Sequence, residues 1–293
     1  MANAVREAPA VAGSGNGSAV GVTSARAGGF WRTVVVFTVA TWLAAGALLV
    51  LQPALHLNPE LLMLTQFGPS AGVLVVVVLR RRASRALPYG APAAPALAPV
   101  LVSLRPTRQV LARCAAGAGL LAALFGLCLG GLALGGRPPH LTSPGSVAGP
   151  FWLLAALQWI GACGEELGWR AFLQRHLESR YSTLLSAVVV GLLWGTWHVE
   201  YYGFGAAFFA AFMVMTVALS VILGVLVKGA GAGALLVAGT FHWLVNLGIL
   251  LLLDFERGNL VNMASLAACA VVVALGVRGY ERGLEGRRGR ATV

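Results

Sequence analysis

The chain has 293 residues, of which 58% are hydrophobic and 11% charged, against about 25% charged in an average soluble domain. That balance excludes a water-soluble globule of this size, because the polar residues are too few to cover it. The net charge of +11 does not point to nucleic acid: the arginines cluster between apolar runs, with no basic stripe of interleaved aromatics, and read as topology determinants at lipid headgroups.

Residues 1–29 are rich in Gly, Ala and Ser, have no periodicity, and are expected to form a disordered cytoplasmic tail. Eight apolar runs follow, near Thr33–Leu51, Leu61–Leu79, Gln109–Leu134, Phe151–Leu177, Thr183–Tyr201, Ala206–Val227, Gly231–Leu253 and Leu260–Val277. A helix needs about 20 residues to cross a hydrocarbon core. In lipid every backbone polar group must be paired internally, so these runs must be helices. The expectation is an all-α polytopic membrane bundle of about eight transmembrane helices. It has a transmembrane domain over 30–280 and a basic cytoplasmic tail over 281–293. The stretch 83–108 is rich in Ala and Pro and reads as an extended loop.

With the N-terminus inside, only Arg137 and Arg257 of the 21 basic residues fall on outer segments. The bias predicts an even number of spans and cytoplasmic termini, and the plasma membrane is the expected location. Cys114, Cys128, Cys163 and Cys269 all sit in apolar runs without a C-x-x-C, and read as small membrane-buried residues.

Ionisable groups within spans are costly, and each is a functional candidate. Three clusters stand out, in a core over about 150–253. In Gly164-Glu165-Glu166-Leu167-Gly168-Trp169-Arg170, Glu166 and Arg170 share a helical face and can neutralise one another. Glu165 is rotated away by about 100° and is left without that partner, which suits a general base. The competing reading sets all three at the headgroup level. His198 follows Trp194 by four residues; a lone His among aromatics is more often a packing residue. His242 and Asn246 share a face well inside the seventh run, where interhelical hydrogen bonding is the plain alternative.

Depth decides whether the clusters meet. At 1.5 Å per residue, a long fourth helix puts Glu165, His198, His242 and Asn246 in one slab roughly 17–25 Å from the inner boundary. Such a set suits hydrolysis. Glu165 takes a proton from water, His198 orients it, and His242 and Asn246 donate to the developing oxyanion. Alternatively Glu165, His198 and His242 could hold a zinc that activates the same water. There is no H-E-x-x-H, so the zincin arrangement is absent.

The order E-E-x-x-x-R, aromatic-x-x-x-H, H-x-x-x-N on successive membrane helices resembles the CPBP intramembrane proteases, the type II CAAX prenyl endopeptidase-like or Abi family. The matching residues are Glu165, Glu166 and Arg170, then Trp194 and His198, then His242 and Asn246. The resemblance implies an intramembrane endopeptidase acting on a membrane-associated, lipidated or small peptide substrate. It implies catalytic roles for Glu165, His198, His242 and Asn246, with Glu166, Arg170 and Trp194 in support. The family usually has Phe where this chain has Trp194. Its members are commonly labelled metalloproteases, although a metal-free glutamate mechanism is also proposed, so zinc stays open. Two alternatives share the same residues: a non-proteolytic scaffold or bacteriocin-immunity-type protein, and a transporter. The lack of an internal repeat argues against the transporter.

Overall fold

The computed structural model describes residues 17–85, 104–137, 141–253 and 258–291. Its helices follow the apolar runs. They are α1 (Gly17–Ala54), α2 (Gly68–Arg85), α3 (Arg108–Leu134), α4 (Phe151–Gly168), α5 (Arg175–Glu178), α6 (Thr183–Trp197), α7 (Ala206–Val227), α8 (Ala234–Leu252) and α9 (Leu260–Ala291). A π-helical turn, Trp169–Gln174, joins α4 to α5 without a break. No strand occurs among the described residues. The chain is an all-α integral membrane bundle.

Five stretches are long and apolar enough to cross a membrane: Gly29–Ala54, Arg108–Leu134, Ala206–Val227, Gly231–Leu252 and Leu260–Arg287. The other three expected spans fall short for physical reasons. α2 ends in Arg80, Arg81, Arg82 and Arg85, α4 carries Glu165 and Glu166, and α6 has only 15 residues. Eight helical rods are present among the described residues, but length and composition alone certify five of them as spans.

The second rod begins later than the hydropathy suggests. Gln52 holds the preceding segment in a loop: its amide donates to Leu62 O and its oxygen accepts from Leu64 N–H. α2 then starts at Gly68-Pro69, where proline's fixed φ and missing N–H fit a first turn. α1 reaches back to Gly17, into the stretch expected as a tail; residues 1–16 lie outside the described residues. So do 86–103 of the Ala/Pro-rich loop. α9 continues to Ala291 through most of the basic tail.

α7 is apolar all round and is the most enclosed span, with 61% of its membrane window buried against 17% for α1, the pattern of a central helix. It packs on α6 and α9, while α4 packs on α2 and α8. The α4–α2 contact is close because Gly168 has no side chain. A Cβ there would lie 2.3 Å from Pro69 Cβ. Small residues let membrane helices approach in this way, and here the approach seals the turn that carries the two glutamates. Ser70 Oγ also donates to Gly164 O at 2.5 Å.

Candidate active site

The fourth rod is long, as the depth argument requires: α4, the π turn and α5 run from Phe151 to Glu178. Its charged groups therefore lie inside the bundle. Glu165, Glu166 and Arg170 are all buried. Arg170 donates to Glu166 Oε1 at 3.0 Å, the expected four-residue pair. His242, buried on α8, places Nδ1 2.9 Å from the same oxygen. Glu166 is thus compensated from two helices, as a buried carboxylate must be.

Glu165 makes a different contact. The indole N–H of Trp194 on α6 donates to its Oε2 at 2.9 Å. The Trp194 ring is the hub of the site. The Arg170 guanidinium lies 4.6 Å over it, within cation–π range. The His242 ring meets it edge-on at 5.0 Å and 69°, and the His198 ring stands 6.0 Å away.

His198 is not on a helix but at the end of one. Its backbone N–H turns to Gly195 O, tightening the last turn of α6. That leaves Trp194 O to be bonded by His198 Nδ1 at 2.8 Å. The imidazole replaces the missing backbone donor, so its direction is fixed by the helix terminus. The ring also stacks on Tyr201 at 5.8 Å and 11°. Asn246 lies one turn beyond His242 on α8, half-buried, and takes no part in these bonds.

The structure thus joins Glu165, Glu166, Arg170, Trp194 and His242 directly, and brings His198 to them through Trp194. Two features were not expected: the indole–Glu165 bond and the bond of His242 to Glu166. A third is Ser70, which no motif marks. Glu166 Oε2 and Arg170 Nε and Nη2 are buried without a hydrogen-bond partner, so each keeps bonding capacity for a further polar group.

The residues do not fit a zinc site. Among the described residues no three His, Cys, Asp or Glu side chains gather so as to hold a metal ion. Glu165, His198 and His242 are arranged around the Trp194 ring, whereas zinc needs its ligands about one point at roughly 2 Å.

Every one of these motif residues falls within a single matched segment. Residues 147–248 match the type II CAAX prenyl endopeptidase Rce1-like family. Lysostaphin resistance protein A of Staphylococcus aureus strain Newman is 30% identical over 114 residues, which are 39% of this chain and 27% of that protein. The proteins of that name from strains USA300 and bovine RF122 / ET3-1 are similar to the same extent. The chain therefore spans only 27% of the length of the relatives it matches.

Proposed function

We propose that the chain is an intramembrane endopeptidase that cleaves a membrane-associated peptide with water activated by Glu165. The observation that carries this reading is the division between adjacent carboxylates. Glu166 is neutralised by Arg170 and His242, while Glu165 bonds a neutral indole. One acid is structural, and the other keeps an oxygen for chemistry. Buried polar groups with spare bonding capacity beside them suit a site that receives water and a peptide.

In this mechanism Glu165 removes a proton from water oriented by His198, and the oxygen forms a bond to the substrate's peptide carbonyl carbon. The oxyanion accepts from Asn246 and from His242. Because His242 Nδ1 faces Glu166, the ring serves the oxyanion through Nε2–H and acts as a doubly protonated donor. The tetrahedral intermediate collapses, the C–N bond breaks, and Glu165 returns the proton to the leaving amine. No step needs a metal. The Rce1-like match favours a lipidated or C-terminal peptide as substrate, and the arginine bias favours both termini in the cytoplasm.

The test is cleavage of membrane-anchored peptides, prenylated and unprenylated, by the full chain in vesicles, with and without chelator. Cleavage that resists chelator and disappears in Glu165→Gln supports the reading. Wild-type rates in Glu165→Gln overturn it. The similarity to lysostaphin resistance protein A supports a second reading, a non-proteolytic membrane scaffold of the immunity type. Under that reading neither the wild type nor Glu165→Gln cleaves any of these peptides.

A further inference from the structure

A groove of about 510 Å³ lies on the outer surface of the bundle between α6, α7 and α9, and none of the site's side chains lines it. Its deep part is apolar, with Leu192, Val217, Val271 and Ala274 in the lining, and its end carries Arg278 and Arg282. From Val271 to Arg282 along α9 is about 16 Å. The volume is that of a small-molecule site, and the shape is a strip of hydrocarbon with cations at one end.

The cations have a defined setting. Lys228 donates to Glu281 at 2.7 Å and to Glu285 at 2.8 Å, and Arg278 also pairs with Glu281. Arg278 Nε remains buried without a partner, and Arg282 is exposed. Three cations face two carboxylates, which leaves one positive charge at the membrane surface. We propose that this groove seats an anionic phospholipid, with an acyl chain along the α6–α7–α9 strip and a phosphodiester on Arg278 and Arg282. One phosphodiester neutralises the cluster and supplies acceptors for the arginines. A second copy of the chain fits less well: a two-fold axis along the membrane normal sets the same arginines at the same level on both copies.

The experiment compares phosphatidylglycerol and phosphatidylcholine of equal chain length, binding to the purified full chain by native mass spectrometry and by thermal shift. The wild type is expected to prefer phosphatidylglycerol. Arg282→Gln should weaken phosphatidylglycerol roughly fivefold and leave phosphatidylcholine unchanged. Val271→Phe, which fills the strip, should weaken both lipids. Equal affinity of the wild type for the two lipids, or no effect of either variant, overturns the proposal. So does a dimer that Val271→Phe dissociates, since it assigns the groove to a second copy. Arg282→Gln leaves the Lys228–Glu281–Arg278 contacts in place, so its result is not confounded by loss of fold.

Discussion

Trp194 on α6 donates its indole N–H to Glu165 on α4 across 2.9 Å, with both side chains buried. The bond fixes the carboxylate from a second helix. A Phe at this position would make no such bond, since a phenyl ring has no donor. In this chain the aromatic of the second motif therefore both packs and orients.

The Trp194→Phe variant separates those roles. The phenyl ring keeps the contacts to Arg170 and His242 and loses the N–H. A hydrogen bond to a charged group contributes about 1.5–3 kcal/mol, so kcat is expected to fall roughly tenfold to a hundredfold with KM little changed. The melting temperature should drop modestly because buried Glu165 loses a partner. Steady-state cleavage kinetics in vesicles measure this. An unaltered kcat would show that packing alone holds Glu165.

Glu165→Gln tests the proposed base. Glutamine keeps the size and an oxygen that can still accept from Trp194, so the fold should survive. It cannot take a proton from water. Loss of a general base typically costs about 10²–10⁴-fold in rate. Product formation should fall by at least the lower figure while the melting curve stays in place.

Arg170→Ala should act through stability. The guanidinium is fully buried, pairs with Glu166 and lies over Trp194. Its removal leaves a buried carboxylate with one partner fewer. Breaking a buried pair on one side costs about 3–5 kcal/mol. Unfolding in detergent should shift by several degrees, and activity should fall with it. Arg170→Lys should recover only part, because a compact ammonium replaces neither the fork nor the stacking plane.

How much was legible in the sequence follows from the range of each interaction. The helices were legible because apolar runs in lipid have one way to satisfy their backbone. The Glu166–Arg170 pair was legible because it is local, four residues on one face. The bond between His242 and Glu166 spans 76 residues, and no spacing rule reaches that far. The late start of α2 depends on Gln52 clamping Leu62 and Leu64, which hydropathy does not register. The π turn over Trp169–Gln174 has no local signature either: its residues would serve equally in an α-helix. The span count differs for another reason: eight apolar runs read as spans, whereas five helices have the length and apolarity of a crossing. α4 falls short because it carries Glu165 and Glu166, whose partners Trp194, Arg170 and His242 lie outside it.

The close approach of α2 to α4 gives a last prediction, on packing alone. Gly168 faces Pro69 so closely that a Cβ would sit 2.3 Å from Pro69 Cβ and 2.8 Å from Pro69 O. Proline and its backbone cannot move aside cheaply, so Gly168→Val must push α2 outward. Overpacking of this kind costs about 1–3 kcal/mol. It also loosens the Ser70 bond to Gly164 O, one residue before Glu165, so activity should fall by more than the stability loss alone explains. Gly119 on α3 is the control, since a Cβ there has nothing within 4 Å. Gly119→Ala should leave the melting temperature unchanged or slightly raised, as alanine is the better helix former. Equal melting temperatures for Gly168→Val and the wild type would mean that the two helices are not held in this register.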